Sequence, residues 1–217
     1  MGLKEELMCP MNLKTDQNVP VIVTLHGIGS NFFDLRPLVS IFGPSLIELH
    51  LQGAIAYGSG FTYYIPRFYK FSENQLIGNA AEKLYLQIKH DLKEHDLQDH
   101  PLAVIGFSQG AILAATLLAF HPSSFSAAIL FSGRMPKFVE EWSKLNLMPG
   151  QIKTNIFISQ GEKDPIFPIR SGEQLVNFFE KFGNHVSYQS YPMGHTICLK
   201  AVHDAYDWAQ QLKWQNN

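Results

Sequence analysis

A chain of 217 residues, 46% of them hydrophobic and with a formal net charge of −2, has the size and composition of one folded domain. Its basic residues are scattered, which excludes the positive stripe that a nucleic-acid-binding surface needs. The two cysteines, Cys9 and Cys198, are too few for a disulfide framework. The sequence therefore predicts a single domain over residues 1–217.

The first residues and the apolar runs give no sign of export or membrane insertion. The sequence MGLKEELMCP has no apolar run behind a basic tip, so we expect no signal peptide. The longest apolar run, Ala111–Phe120, is too short to cross a bilayer. We therefore expect a cytoplasmic protein without a membrane span.

Short apolar runs rich in β-branched residues alternate with longer segments of helical period. The predicted strands, in chain order, are Val19–Leu25, Ile47–Leu51, Leu102–Phe107, Ala127–Phe131, Ile156–Ser159 and Val186–Tyr191. The predicted helices are Ser72–Lys93, Gln109–Phe120, Phe138–Leu145, Ser171–Phe182 and Lys200–Leu212. This alternation predicts an α/β fold, with a mostly parallel sheet of about six or seven strands and helices on both faces. The long connection Pro136–Lys153 can form at most a small cap.

The sequence Gly106-Phe107-Ser108-Gln109-Gly110 lies where a predicted strand passes directly into a predicted helix. A G-x-S-x-G sequence in this context is typical of a nucleophilic serine on a sharp, strained turn. Glycines leave room for the strand and the helix to close around the turn, and the helix N-terminus favours developing negative charge. The alternative is a glycine-rich turn with an incidental serine. We predict Ser108 as the nucleophile.

A nucleophilic serine needs a histidine to take its proton and a carboxylate to orient that histidine. When the serine lies on this kind of turn, the carboxylate and then the histidine follow it along the chain. Among the nine histidines, His195 is the predicted base, because it lies on the loop that follows the last strand. Asp164, beside Pro165 and a few residues beyond a predicted strand, is the predicted acid. Glu162 in the same loop is the alternative.

Two further segments bear on the site. His26-Gly27-Ile28-Gly29 follows the first predicted strand. An H-G-x-G turn can direct a backbone N–H toward the nucleophile, where it would bind the oxyanion. The backbone N–H of Gln109 would supply the second donor. We expect His26 itself to fix the turn through a hydrogen bond. The segment 61–69, FTYYIPRFY, is dense in aromatic residues, and we predict that it lines one side of the cleft. The alternative is that these aromatic side chains pack in a small hydrophobic cluster outside the main core.

These segments together resemble the phospholipase/carboxylesterase group of α/β-hydrolases, which includes acyl-protein thioesterases. The matching segments span most of the chain and are LHGIG (25–29), GFSQGA (106–111), DPIFP (164–168) and YPMGHTI (191–197). The resemblance implies the α/β-hydrolase fold. It implies these site residues: Ser108, Asp164 and His195 as a triad, Ile28 and Gln109 as backbone oxyanion donors, and Ile166 facing the acyl pocket.

The chain departs from the family pattern at two positions. Ser30 stands where many relatives carry Asp after H-G-x-G, and Gln160 stands where His-Gly often precedes the acid loop. Neither departure removes a catalytic group, but both leave the substrate preference open.

The predicted function is hydrolysis of carboxylic esters with short to medium acyl chains through an acyl-enzyme, with Phe61 and Ile166 as substrate contacts. A thioesterase or lysophospholipase with the same triad is the near alternative, and a catalytically silent ligand-binding module is the alternative of another class. No cofactor or metal is expected, since the histidines are dispersed. The expected partner is a small-molecule ester or thioester, and homodimer formation stays open.

Overall fold

A seven-stranded, mostly parallel β-sheet forms the centre of the protein. The computed structural model describes residues 3–9, 19–43, 46–183 and 185–212, without the side chain of His185. Its strands are β1 (Lys4–Met8), β2 (Val21–Leu25), β3 (Ile47–Gln52), β4 (Ile55–Tyr57), β5 (Gly60–Thr62), β6 (Leu102–Phe107), β7 (Ala127–Phe131), β8 (Asn155–Gly161) and β9 (His185–Tyr191). Its helices are α1 (Arg36–Val39), α2 (Asn79–Glu94), α3 (Gln109–Phe120), α4 (Lys137–Asn146), α5 (Ile169–Phe182) and α6 (Leu199–Gln210). A 3₁₀ turn at Ser40–Phe42 follows α1, and a π-helical turn at Asn74–Gly78 leads into α2.

The strand order in the sheet is β1-β3-β2-β6-β7-β8-β9. Only β1 at one edge runs antiparallel to its neighbour; the other described pairings in this sheet are parallel. Strands β4 and β5 form a separate antiparallel hairpin after β3. The predicted fold class, strand number and sheet direction are confirmed, whereas β1 and the hairpin were not predicted.

The alternating side chains of the parallel strands bury both faces of the sheet. Val21, Val23 and Leu25 of β2 pack in one core with α2, α3 and α5, whereas Ile22 packs in a second core with α1 and α6. This is the period of two that a strand imposes on its side chains. Among the described residues, no helix combines the length and apolarity that crossing a bilayer requires.

The predicted helix Ser72–Lys93 begins with the expected capping box. The N–H of Gln75 donates to Ser72 Oγ at 3.2 Å, and the N–H of Ser72 donates to Gln75 Oε1 at 2.9 Å. The first turn is π-helical, at Asn74–Gly78, so the α-helix proper starts later than predicted.

The segment Pro136–Lys153 carries α4, as predicted, but α4 does not lie over Ser108. Phe138 and Trp142 pack their rings against Phe120, the last residue of α3. Ser108 precedes the other end of that helix, about 18 Å away for 12 residues. The helix of this segment therefore covers the end of α3 opposite the predicted nucleophile.

Two carboxyl groups meet where α2 packs beside the edge strand β1. The side-chain amide of Gln87 donates to Asp91 Oδ1 at 2.6 Å and to Glu5 Oε2 at 3.2 Å. Burial of Asp91, followed by its hydrogen bond to Glu5, raises the pKa of Asp91 to about 7. The folded protein therefore holds a proton on Asp91 under conditions where the unfolded chain has lost it.

Replacing Asp91 with asparagine is expected to stabilise the protein at alkaline pH. The folded state binds this proton up to about pH 7 and the unfolded chain only up to about pH 4, so wild-type stability falls as the pH rises between these values. Asparagine cannot ionise, so Tm at about pH 8 should rise by about 2–4 °C, with little change at about pH 4. Thermal unfolding at both pH values measures this, with exposed Asp99→Asn as the control. Equal pH dependence of Tm in wild type and Asp91→Asn would contradict it.

Candidate active site

The turn between β6 and α3 has the strained geometry that G-x-S-x-G predicts. Ser108 has φ 53° and ψ −112°, outside the regions that side chains favour, which costs about 1–3 kcal/mol. A Cβ on Gly106 would lie 2.5 Å from the carbonyl oxygen of Gly110, and a Cβ on Gly110 would lie 1.9 Å from that of Leu25. Both glycines are therefore required by close backbone approach. The N–H of Ser108 donates to the carbonyl of Phe131 at 3.0 Å, which ties the turn to the end of β7.

Three loops at the carboxyl edge of the sheet bring Ser108, His195 and Asp164 into one line. His195 Nε2 lies 2.8 Å from Ser108 Oγ, and His195 Nδ1 lies 2.8 Å from Asp164 Oδ2. The imidazole lies between the rings of Phe107 and Phe167, with centroid distances of 5.2 and 5.4 Å. Ser108 and Asp164 are buried, and the His195 side chain is 19% exposed. This is the arrangement in which a histidine can take a proton from a serine.

The carboxylate of Asp164 is held on both oxygens. Oδ1 accepts the backbone N–H groups of Ile166 and Phe167 at 2.8 and 2.9 Å. Oδ2 accepts the Gln160 side-chain amide at 3.3 Å in addition to the contact with His195. An ionised carboxylate can accept all four contacts, because it offers about four lone-pair sites and needs no donor of its own.

The alternative acid, Glu162, does not reach the histidine. Its side chain is exposed, and its Oε1 accepts the hydroxyl of Ser190 at 3.1 Å. The loop after β8 thus turns Asp164 inward and Glu162 outward.

The predicted oxyanion donors flank the serine. A Cβ on Gly27 would lie 3.1 Å from a ring carbon of Phe107 and 3.6 Å from Ser108 Cβ, so the loop after β2 lies directly beside Ser108. Among the described loop hydrogen bonds, the N–H of Ile28 has no acceptor. Gln109 is the first residue of α3, where an N–H has no intrahelical acceptor. Both N–H groups are thus available to bind a negative oxygen.

The loop that carries Ile28 is held by the backbone of β5. The N–H of Gly29 donates to the carbonyl of Phe61 at 2.8 Å, and the N–H of Phe61 donates to the carbonyl of Ser30 at 2.6 Å. Gly29 has φ +76°, a conformation that favours glycine. The β4–β5 hairpin therefore holds the backbone of the loop that carries Ile28.

The buried side chain of His26 also holds the loop that carries Ile28, through hydrogen bonds, as expected from the sequence. Its Nε2 accepts the N–H of Gly53 at 3.1 Å, so the proton is on Nδ1, which donates to the carbonyl of Gly27 at 2.6 Å. Burial lowers the pKa of His26, in keeping with this neutral form. The hydroxyl of Tyr63 accepts the N–H of His26 at 3.1 Å and donates to the carbonyl of Leu51 at 2.8 Å.

The side chain of Gln109 joins the turn at Ser108 to the end of β5 and the two residues after it, a role that the sequence does not predict. Its Oε1 accepts the hydroxyl of Thr62 at 2.7 Å and the N–H of Tyr63 at 3.0 Å. Its Nε2 donates to the carbonyl of Tyr64 at 2.9 Å. These partners are 45–47 residues away in sequence, so no local sequence pattern predicts them.

Replacing Tyr63 with phenylalanine is expected to lower the free energy of unfolding by about 1–3 kcal/mol. The change leaves the N–H of His26 and the carbonyl of Leu51 buried without this partner, and such groups are costly. Urea denaturation measures the loss. Tyr69→Phe is the matched control, because Tyr69 is 86% exposed and its change should be close to neutral. Equal stability of both variants would contradict the role given to the Tyr63 hydroxyl.

A cleft of about 420 Å³ opens beside Ser108. Phe61 and Ile166 are not among its lining residues; the backbone of Phe61 is hydrogen-bonded to the loop that carries Ile28, and Ile166 is 59% exposed. The cleft is lined by Gly27, Ile28, Gly29, Ser30, Asn31, Asp34, Ser59, Phe107, Ser108 and His195. A larger cavity of about 590 Å³ lies between α2 and the hairpin and contains no triad residue. Within the described ranges, no three His, Cys, Asp or Glu side chains gather as a metal site would need.

Known proteins share this sequence pattern and this fold. The model of the phospholipase/carboxylesterase family matches residues 64–213. The MhqD protein of Bacillus subtilis (strain 168), named a putative hydrolase, is 27% identical over 198 residues, covering 88% of this chain and 92% of that protein. Acyl-protein thioesterase 1 of Debaryomyces hansenii is 26% identical over 135 residues, covering 61% of this chain and 57% of that protein. A crystal structure of the Bacillus cereus carboxylesterase, 22% identical, gives a TM-score of 0.83 over 96% of this chain and 94% of that one, which confirms the predicted fold.

Proposed function

The chain belongs to the phospholipase/carboxylesterase family of hydrolases, and we propose that within it the protein is a serine esterase that works through an acyl-enzyme. Ser108 is the nucleophile, His195 is the general base and then the general acid, and Asp164 orients the histidine. One observation carries this proposal: both nitrogens of a single imidazole are occupied, one by the serine hydroxyl and the other by a buried carboxylate, each at 2.8 Å.

In the acylation step, Ser108, His195, Asp164 and the two backbone N–H groups each have one role. Ser108 Oγ attacks the ester carbonyl while His195 Nε2 takes its proton. The carbonyl oxygen becomes an oxyanion, which the N–H groups of Ile28 and Gln109 bind. The imidazolium, stabilised by Asp164, then gives the proton to the leaving alcohol as the carbon–oxygen bond breaks. The acyl group remains on Ser108.

Deacylation repeats this chemistry with water. His195 Nε2 takes a proton from a water molecule that attacks the acyl carbonyl, and the same two N–H groups bind the second oxyanion. Breakdown of this intermediate returns the proton to Ser108 and releases the carboxylic acid.

Carboxylic esters with short to medium acyl chains are the proposed substrates. The cleft of about 420 Å³ falls in the lower part of the range for small-ligand sites, which favours compact groups. Thioesters are the second candidate, because the same attack releases a thiol and a matching relative is named acyl-protein thioesterase 1. Phe61 and Ile166 stay proposed substrate contacts, with Ile166 at the exposed surface of the acid loop.

A hydrolysis screen tests the proposal. Purified protein is assayed against p-nitrophenyl esters from acetate to palmitate and against acyl-coenzyme A thioesters of the same acyl groups. We expect the highest kcat/KM for short or medium oxygen esters. No hydrolysis of any ester or thioester, together with no labelling by a fluorophosphonate, would instead favour a ligand-binding module.

A further inference from the structure

Gln160 is the last side chain of β8 before the acid loop, and it is fully buried. Its amide nitrogen donates to Asp164 Oδ2 at 3.3 Å and to the backbone carbonyl of Phe167. Both partners are acceptors, so the opposite orientation of the amide would place an oxygen against two oxygens. The orientation of this amide is therefore determined by its surroundings.

The amide of Gln160 meets the same carboxylate oxygen that His195 uses. Asp164 Oδ1 is already held by two backbone N–H groups, so Oδ2 is the oxygen whose position depends on side chains. The second N–H of Gln160 donates to the carbonyl of Phe167, whose ring packs edge-on against His195. The side-chain amide of Gln160 thus holds both the carboxylate of Asp164 and the backbone of Phe167, whose ring packs against His195.

Close packing keeps the Gln160 side chain at this place. A Cβ on Gly172, in α5, would lie 2.9 Å from Gln160 Cβ and 2.9 Å from a ring carbon of Tyr188. The helix can therefore approach the strand here only with glycine at position 172. Gln160 Oε1 has no hydrogen-bond partner among the described protein atoms, so the hydrogen bonds of this amide are the two that its nitrogen makes.

We propose that Gln160 is a positioning residue of the hydrolytic reaction, which fixes Asp164 Oδ2 in line with His195 Nδ1 by donating from its side-chain amide. The proposal rests on the proposed serine-esterase function. During catalysis the imidazole gains and loses a proton, and its bond to Asp164 changes with each step. The contact from Gln160 is independent of that cycle, so the carboxylate stays aligned throughout.

The first test replaces Gln160 with methionine, which keeps the length of the side chain and removes the donors. We expect kcat for the best p-nitrophenyl ester to fall about tenfold and KM to stay within about twofold, because alignment matters in the transition state more than in substrate binding. Tyr188→Phe is the matched control: it alters the same packing site beside Gly172 but no contact of Asp164, and its kcat should stay near wild type. Wild-type kcat in Gln160→Met, or an equal loss in Tyr188→Phe, would overturn the proposal.

The second test uses Gln160→Glu and the pH profile. The carboxyl group that this substitution introduces can donate to Asp164 when it is protonated, as the amide does, whereas its ionised form cannot donate and repels Asp164. We expect the kcat of Gln160→Glu to decline on the alkaline side, in addition to any decline that wild type shows. A merely structural role would not create this second decline. A Gln160→Glu profile with the wild-type shape would overturn the proposal.

A third measurement does not depend on activity or on the folding of Gln160→Glu. The His195 Nδ1 proton is observed by ¹⁵N-edited NMR in wild type, Gln160→Met and Tyr188→Phe. The proposal predicts a displaced or broadened resonance in Gln160→Met alone; an unchanged resonance there would overturn it. Absence of hydrolysis and of fluorophosphonate labelling in wild type would instead mark failure of the proposed function.

Discussion

Replacing Ser108 with alanine is expected to lower kcat for p-nitrophenyl ester hydrolysis by about 10⁴- to 10⁶-fold. The substitution removes the atom proposed to attack the substrate, and within the described residues His195 Nε2 has no other nucleophile at hydrogen-bond distance. The N–H groups of Ile28 and Gln109 should still bind the oxyanion, so a residual rate above that of water is expected. Initial rates at saturating ester measure the effect.

Ser143→Ala is the matched control for this loss. Ser143 is a buried serine like Ser108, and its hydroxyl has no hydrogen-bond partner among the described residues. It lies in α4, which packs on the end of α3 opposite Ser108. We expect the control to keep wild-type kcat, with unfolding curves showing that both variants are folded. Substantial activity in folded Ser108→Ala would show that another group is the nucleophile.

Replacing Asp164 with asparagine should give the second-largest effect, a fall in kcat of about 10³- to 10⁴-fold with KM changed by only a few fold. Asparagine would turn its oxygen to the backbone N–H groups of Ile166 and Phe167, and so turn its NH₂ toward His195. Nδ1 of His195 would then become an acceptor, and the proton would move to Nε2. In that tautomer the histidine cannot take the proton of Ser108.

Glu162→Gln is the control for Asp164→Asn, because it makes the same chemical change in the same loop. Glu162 is exposed and contacts Ser190, so we expect its kcat within about twofold of wild type. Steady-state kinetics of both variants decide between the two carboxylates. A large loss in Glu162→Gln with full activity in Asp164→Asn would reverse the assignment of the acid.

The parts of this structure that follow from short-range chemistry could be predicted from the sequence. Strands β6 and β7 are uniformly apolar, and the bounds predicted for β6, β7 and α3 match those observed. The turn at Ser108 is recognisable because close approach to neighbouring backbone permits only glycine at positions 106 and 110. Parallel strands bring their carboxyl ends to one edge, so Asp164 and His195 could be placed near Ser108 without knowledge of the intervening helices.

What could not be predicted depends on contacts between distant segments. Strand β1 has the sequence KEELM, whose polar residues suit an exposed edge and lack the apolar run of a buried strand. The β4–β5 hairpin has only three residues on each side, too few for a period to show. The aromatic ring of Phe61 predicts a substrate contact, yet it is the Phe61 backbone that contacts the loop carrying Ile28. The sequence predicts a role for the backbone N–H of Gln109, whereas the partners of its side chain are all remote in sequence.

Labelling by a fluorophosphonate, followed by mass spectrometry of the digested protein, tests most directly whether the hydroxyl of Ser108 is activated by His195. We predict one adduct per chain, on the peptide that contains Ser108, formed rapidly in wild type and very slowly in His195→Ala. An adduct on a different serine, or equal labelling rates in wild type and His195→Ala, would contradict the proposed triad.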